Sequence, residues 1–122
     1  MTTVSCMIAR LSQGDCISFS ESIAVIDAFY SFVPVRFING ANSAAPVINE
    51  AGTNQGSCKI FYFAQMHGLS RQQTLALFGD YYRQDVLQHP DATDHANIRT
   101  FMRCGWDGVY YDGVALVPRA DC

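Results

Sequence analysis

The segment Gly56-Ser57-Cys58-Lys59 places a hydroxyl, a thiol and an ammonium group at the start of a predicted helix. The first N–H groups of a helix have no partner inside the helix, and they lie at the positive end of its dipole. An anion is favoured there, and Lys59 would add positive charge. The structural alternative is that Ser57 caps the helix while the Lys59 stem packs along it. Ser57 and Lys59 are therefore candidate ligand-binding residues, although the fuller glycine pattern of a phosphate-binding loop is absent.

Cys58 lies in the first turn of the same predicted helix, where a thiol can have a lowered pKa and act as a nucleophile. A nucleophile needs a base. His67 is nine residues further along the helix, which is about 13 Å at roughly 1.5 Å per residue. His95 is therefore the candidate base, with Asp91 or Asp94 to orient it. We prefer the simpler interpretation, in which Cys58 is a buried structural residue.

The segment His89-Pro-Asp-Ala-Thr-Asp-His95 collects two histidines and two carboxylates within seven residues. Hard and borderline metals use such ligands, but the spacing matches no known metal-binding motif. No metal site is predicted. We instead expect Thr93 or Asp94 to cap a helix, where negative charge is favourable. Asp94 and His95 are nevertheless candidates for ligand binding.

Side-chain amides surround the segment from Ala41 to Gly56, which has little periodicity and is predicted to be one long loop. Long loops in small proteins are often functional. Neutral donors and acceptors suit a small polar ligand or the backbone of another chain, whereas turn formation explains them equally well. The amides are those of Asn39, Asn42, Asn49, Asn54 and Gln55, of which Asn39 and Asn54 join the candidate ligand-binding residues.

Asp27 interrupts an apolar stretch, and helical spacing places it beside Ile23 and Tyr30. A buried carboxylate must be paired or neutralised. We predict that Asp27 is a buried acid, and two roles remain open for it. It either pairs with an arginine or lines a pocket with a shifted pKa. The candidate arginines are Arg36, Arg99 and Arg103.

Capping signals and apolar spacing predict the helices that position these residues. Ser18-Phe-Ser-Glu21 and Ser70-Arg-Gln-Gln73 have capping-box spacing. Five helices are expected, and in each the apolar residues recur at three- and four-residue steps. The first two cover about Thr3 to Leu11 and about Ser20 to Phe32, and the third covers Gly56 to Gly68, with His67 in its core or at its end. The fourth follows Ser70 and ends before Pro90, and its apolar stripe consists of Leu75, Phe78, Tyr82 and Val86. The fifth runs from Thr93 or Asp94 to Gly105.

Two extended segments complete the predicted fold. Val35–Ile38 is branched and apolar, and Val109–Tyr111 lies between two Asp-Gly turn signals, so the two segments are expected to pair. Trp106 is expected to pack in the core. The predicted class is mainly α (α+β), with about four to five helices around one core and a short two-stranded β element.

The size and charge of the chain limit the classes of function that it can have. The chain has 122 residues, 49% of them hydrophobic, and a net charge of −3. One domain over residues 1–122 is predicted, without the broad cationic surface that nucleic acid or anionic lipid would require. No secretory signal or membrane-spanning run is visible, which predicts a cytoplasmic protein. The five cysteines share no close spacing, so free thiols are expected, and Cys122 could pair between chains.

Several longer motifs carry a family resemblance. They include Ala24-Val-Ile-Asp-Ala-Phe-Tyr, Phe37-Ile-Asn-Gly, Asn54-Gln-Gly-Ser-Cys-Lys-Ile, Thr93-Asp-His-Ala-Asn-Ile-Arg-Thr-Phe-Met, Gly105-Trp-Asp-Gly and Asp112-Gly. The chain resembles the HopJ-type family, small proteins described as type III effectors. The resemblance covers nearly the whole chain and implies no particular reaction. The resemblance does imply that the protein could be exported by a type III system and act on a host target.

Two functional hypotheses follow. The first is a non-enzymatic binding or protein-interaction module, with a homodimer allowed, because no complete nucleophile, metal or cofactor motif occurs. No cofactor is expected. The second is a small enzyme or ligand sensor, in which polar residues of the Asn39–Lys59 segment meet Asp94 and His95 in a cleft. Its partner would be a small polar ligand, whereas the first hypothesis requires a protein partner.

Overall fold

The computed structural model describes residues 3–119, in which helices and two small antiparallel sheets surround an apolar core. The predicted α+β class is confirmed. In chain order the elements are α1 (Val4–Gln13), α2 (Phe19–Phe29), β1 (Tyr30–Phe32), β2 (Phe37–Asn39), β3 (Val47–Asn49), α3 (Gln55–Met66), α4 (Arg71–Ala76), a π-helix (Tyr81–Val86), α5 (Ala96–Cys104), a 3₁₀-helix (Trp106–Gly108), β4 (Tyr110–Tyr111) and β5 (Leu116–Pro118).

Side-chain caps fix the starts of three helices. The hydroxyl of Thr3 accepts the Cys6 N–H at the start of α1, and that of Ser18 accepts the Glu21 N–H at the start of α2. The capping box predicted at Ser70 is complete. At Ser18 the Glu21 carboxylate instead pairs with Arg10 and so ties α1 to α2. Local sequence therefore determines where these helices begin.

The helix predicted to reach Phe32 ends earlier. The three residues Tyr30–Phe32 form β1, which pairs with β5 in the register Tyr30↔Pro118 and Phe32↔Leu116. Because β5 comes from the far end of the chain, its pairing has no signal in the local helical periodicity. Tertiary contact thus overrides the helical prediction for these three residues.

The second sheet has the strand order β3-β2-β4. The predicted pairing of the 35–38 and 109–111 segments is confirmed, with Phe37 opposite Tyr111 and Ile38 opposite Tyr110. The long loop predicted from Ala41 to Gly56 is wrong in part, because it contains β3, which pairs with β2. A strand of three residues is too short to show a period, so the sequence pattern could not reveal it.

The helix predicted after Ser70 is interrupted. α4 ends at Ala76, Gly79 adopts a left-handed conformation with φ of 62°, and the chain then continues as the π-helix. Leu75, Phe78 and Tyr82 of the predicted stripe are buried all the same. The stripe therefore predicted correctly that these side chains are buried, but the prediction of one continuous helix is wrong.

Phe61 of α3 lies at the centre of the core. Its ring centroid is 4.9 Å from that of Phe101, 5.3 Å from that of Phe78 and 6.5 Å from that of Trp106. The Trp106 indole N–H donates to the Leu69 carbonyl, which confirms its predicted packing role. None of the helices within residues 3–119 combines the length and apolar character needed to cross a bilayer.

Candidate functional site

A cleft of about 360 Å³ lies where the starts of α3 and α5 approach each other. Its polar lining consists of Asn54, Ser57, His95 and Asn97, together with the backbone of Gly56 and Ala96. Its apolar lining consists of Phe19, Val47, Phe78, Tyr81 and Ile98. The cleft brings together three of the predicted ligand-binding residues, Asn54, Ser57 and His95.

Both helix starts at the cleft are uncapped. The N-cap residues Asn54 and His95 have φ of 49° and 51°, in the left-handed region, and neither side chain accepts a hydrogen bond from its helix. The first backbone bonds run from Cys58 N to Asn54 O at 2.9 Å and from Arg99 N to His95 O at 3.1 Å. The prediction that Ser57 and Thr93 or Asp94 cap these helices is therefore wrong.

The uncapped starts leave backbone donors beside the cleft. In the part of the chain that the structure describes, no acceptor takes the N–H groups of Gly56, Ser57, Ala96, Asn97 and Ile98. All of these residues line the cleft. Orphan N–H groups at helix starts are normally satisfied by caps, water or ligands. The cleft therefore has donors available from two helices at once.

A network of asparagines, of which Asn39, Asn49 and Asn97 are buried, holds the two helix starts together. The Asn49 and Asn97 amides form a reciprocal pair, with Nδ2–Oδ1 distances of 3.1 and 2.8 Å. Asn54 Nδ2 donates to Asn49 Oδ1 at 2.7 Å, and Asn39 Nδ2 donates to the Asn97 carbonyl at 2.8 Å. β2, β3, α3 and α5 thus meet through side-chain amides. In a buried setting such bonds fix one arrangement, because each broken bond leaves an unpaired polar group.

Asn39 supports the cleft from behind. It is completely buried and does not line the cleft, and its predicted contact with a ligand stays a prediction. Within residues 3–119 its Oδ1 is a buried acceptor without a partner. Its amide instead fixes the position of Asn97.

His95 is held between the π-helix and its own helix start. Its Nε2 lies 3.0 Å from Asp85 Oδ2, and its ring centroid is 5.1 Å from that of Tyr81. Tyr81 and Asp85 are four residues apart, and the wider turn of a π-helix brings residues at this spacing to nearly the same face. The π-helix therefore supplies two of the side chains around His95, and a third, the Asp94 carboxylate, lies 3.9 Å from Nε2.

Arg99 closes the connection between the π-helix and α5. Its guanidinium donates to the carbonyls of Asp85, His89 and Asp94 at 3.2, 2.9 and 2.6 Å, and to the Asp94 carboxylate at 2.7 Å. This side-chain bond to Arg99 holds the pKa of Asp94 below its usual range. Asp94 does not line the cleft, and its predicted contact with a ligand stays a prediction.

The Asp94–Arg99 pair predicts a pH dependence of stability. A carboxyl group whose pKa is lowered by folding stabilises the protein above its unfolded pKa, and this contribution disappears as the pH falls through the folded pKa. Asp94→Asn should therefore lower stability at neutral pH, and its difference from the parent should shrink under acid conditions. Urea unfolding from pH 7 to about 2.5 measures this.

The matched control for this prediction is Asp91→Asn. Asp91 is exposed and makes no ion pair with any residue in the 3–119 range. We expect its effect on stability to be small and independent of pH. A difference between Asp94→Asn and its parent that stayed constant across the whole range would contradict the prediction.

Lys59 points away from the cleft. Its Nζ lies 2.8 Å from Asp27 Oδ1 and 5.0 Å from the centroid of the Phe32 ring. Residues two apart on a helix do not share a face, so Ser57 and Lys59 cannot both line one side of α3. Lys59 therefore does not line this cleft, and the ligand role predicted for it stays a prediction.

The buried acid predicted at Asp27 is also wrong. Its side chain is 51% exposed, and its partner is Lys59 rather than any of the expected arginines. α2 ends two residues later, at Phe29. The apolar face assumed to cover Asp27 therefore does not continue past it.

Cys58 is a buried structural residue, as we preferred. It is 2% exposed, its Sγ lies 3.9 Å from the Val35 carbonyl, and burial raises the pKa of its thiol. It does not line the cleft with His95. Cys6, Cys16 and Cys104 are also free thiols, whereas Cys122 lies outside the described residues. No group of three His, Cys, Asp or Glu side chains within residues 3–119 is arranged to hold a metal ion.

The sequence analysis missed three contributors to the site: Phe19, Tyr81 and Asp85. Asn97 was noted only through the family resemblance, which leaves a binding role open for it, although asparagine is also unfavourable inside a helix and lies two residues after His95. Phe19 and Tyr81 have the spacing of ordinary core residues. Asp85 had no local signal, since its contact with His95 depends on the π-helix.

These features define a small α+β protein in which two uncapped helix starts share one cleft. A model of the family described as HopJ type III effector protein matches residues 4–116, so the chain belongs to this family. The chain is also similar to a protein of unknown function, VPA0580, whose crystal structure is known. The two are 40% identical, and the match covers 98% of this chain and 95% of that one with a TM-score of 0.90. Comparison with curated proteins gave no match.

Proposed function

We propose that this protein binds a small anionic ligand in the cleft without converting it chemically. The supporting observation is the convergence of two uncapped helix starts on one cavity. α3 has 12 residues and α5 has 9, and each helix dipole places roughly half a positive charge at its start. An anion between them would accept hydrogen bonds from both helices.

The side chains at the cleft agree with this proposal. The contact of His95 Nε2 with Asp85 at 3.0 Å fixes the orientation of the ring, and its Nδ1 can donate to a ligand when the ring is protonated. Ser57 and Asn54 add a hydroxyl and an amide at the opposite helix start. The cleft thus offers donors from backbone, hydroxyl and amide groups, and from the imidazolium when His95 is protonated, which suits an acceptor-rich ligand.

Binding without catalysis is favoured because none of residues 3–119 places an activated nucleophile at the cleft. Cys58 is buried with a raised pKa. Ser57 lines the cleft, but among the described residues no hydrogen bond joins its hydroxyl to His95. A serine or cysteine nucleophile requires such a base within hydrogen-bonding distance. Protein interaction, homodimerisation, cytoplasmic location and type III export stay predictions.

A titration monitored by NMR tests the proposal. Acetate or inorganic phosphate should shift the amide signals of Gly56, Ser57, Ala96, Asn97 and Ile98 together, with a dissociation constant on the order of millimolar for such small anions. The start of α4, which has a complete capping box, supplies an internal control and should respond little. Shifts spread evenly over the protein, or none at the cleft, would rule the proposal out.

Two variants of Ser57 sharpen this test. Ser57→Asp places a negative charge at the start of α3, and we expect it to weaken anion binding at least about tenfold by repulsion. In Ser57→Asn the new side chain has nearly the same size as aspartate but no charge, so this variant should weaken anion binding much less than Ser57→Asp. Equal losses in the two variants would indicate a steric effect rather than recognition of charge.

A further inference from the structure

Three aromatic rings, those of Phe19, Phe78 and Tyr81, belong to the apolar lining of the cleft. Phe19 and Tyr81 meet edge to face, with centroids 5.0 Å apart and planes at 66°. Phe19 also stacks near Phe78, at 6.5 Å and 22°, and Tyr81 lies 5.1 Å from the His95 ring. The four rings therefore form one continuous series of contacts that ends at His95. Such a wall favours a flat aromatic ligand, because aromatic rings gain from stacked and edge contacts.

The charge of the cleft limits what the ligand can carry. Among the described residues, those that line it include neither a lysine nor an arginine. Two nearby cations are engaged elsewhere, Arg99 with Asp94 and Lys59 with Asp27. His95 is the only cationic group in the lining when protonated, and Asp85 lies against it. A phosphate dianion usually has Arg or Lys partners, whereas a single carboxylate can be held by neutral N–H groups.

Resting on the function proposed above, we infer that the ligand is an aromatic monocarboxylate. Its carboxylate accepts hydrogen bonds from the first-turn N–H groups of α3 and α5, and its ring lies against Phe19 and Tyr81. The volume of about 360 Å³ is near the lower end of the range for small-molecule sites, roughly 300–1,000 Å³. One ring with a short carboxylate-bearing group fits that size.

Dissociation constants from the same NMR titration of the full chain test this inference. Benzoate should bind at least about tenfold more tightly than acetate, because its ring is removed from water. It should also bind at least about tenfold more tightly than inorganic phosphate or neutral benzyl alcohol, each of which lacks one of the two features. Cyclohexanecarboxylate, which has similar size without a flat ring, should bind roughly threefold more weakly than benzoate.

Tyr81→Ala tests the ring contact directly. It should weaken benzoate binding roughly three- to tenfold and acetate binding by less than about twofold. Tyr110→Ala is the matched control, because Tyr110 is exposed on β4 and does not line the cleft. It should leave both affinities unchanged.

The outcomes separate this inference from the proposed function. Phosphate or cyclohexanecarboxylate that bound as tightly as benzoate, with shifts at the cleft, would overturn the ligand class and leave anion binding in place. Equal losses for benzoate and acetate in Tyr81→Ala would also overturn it. If none of the anions shifted the cleft amides, the proposed function itself would fail.

Discussion

Gly79→Ala should lower the free energy of unfolding by about 3 to 4 kcal/mol. Gly79 has φ of 62°, where a Cβ is strained in any setting. Its added Cβ would also lie 2.6 Å from the Phe19 nitrogen and 3.1 Å from the Ile17 carbonyl oxygen. Both neighbours are backbone atoms, so neither can rotate away. The two costs add, since one comes from Gly79 itself and the other from the packed segment before α2.

Gly68→Ala is a closely matched control. Gly68 has φ of 63°, almost identical to that of Gly79, but its Cβ would meet no atom within 4 Å. Its expected loss is therefore the backbone term alone, about 1 to 2 kcal/mol. Urea unfolding of both variants gives the difference. Equal losses would show that the close approach of Gly79 to the 17–19 segment does not contribute.

Features that depend on neighbouring residues could be predicted from the sequence. The Ser70 capping box needs only residues 70–73, and the end of α5 at Gly105 needs only the residues around it. The β2–β4 pairing was also predictable, because both segments are branched or aromatic and flanked by turns. In each case the local preference and the final contact agree.

The interruption at Gly79 could not be predicted in the same way. The stripe from Leu75 to Val86 satisfies helical spacing, and a single glycine inside such a pattern costs only about 1 kcal/mol. Gly79 is required because the backbone of the 17–19 segment packs against it, and that contact joins distant parts of the chain. The π-helix that follows, and with it the contact between Asp85 and His95, depends on the same event.

The candidate site was predicted in part, for a physical reason. Asn54, Ser57 and His95 lie at helix starts, where residue type signals free N–H groups, and all three line the cleft. Lys59 and Asp94 carry charge, and their charges are satisfied by the neighbours Asp27 and Arg99. Residue types alone do not show which face of a helix a side chain lies on or which partner neutralises its charge. The sequence could therefore not distinguish the residues that line the cleft from Lys59 and Asp94.

The meeting of the two helix starts depends on one residue, which leads to the second large effect. Asn49→Ala should lower the free energy of unfolding by about 3 kcal/mol. Asn49 is 1% exposed, and its Oδ1 accepts from Asn54 and Asn97. Its Nδ2 donates to Asn97 Oδ1 and to the carbonyls of Phe37 and Val47. Removing the amide leaves several buried groups unpaired, each at a cost.

Asn42→Ala is the first control, because Asn42 is exposed and makes no hydrogen bond to another residue in the described range. It should change stability by less than about 0.5 kcal/mol, as most surface substitutions do. A loss in Asn49→Ala no larger than this would mean that the amide network does not hold β3 to the two helix starts.

Asn49→Ala should also weaken anion binding while the protein remains folded, because Asn49 holds Asn54 and Asn97 at the two sides of the cleft. Leu116→Ala separates this effect from general destabilisation. Leu116 is 1% exposed, lies in β5 and does not line the cleft, and its truncation should cost about 2 to 5 kcal/mol. NMR titration well below the unfolding temperature should show weaker binding in Asn49→Ala and unchanged binding in Leu116→Ala. Equal affinities in both variants would mean that the cleft keeps its shape without the amide network, and that the two helix starts are positioned by the apolar core alone.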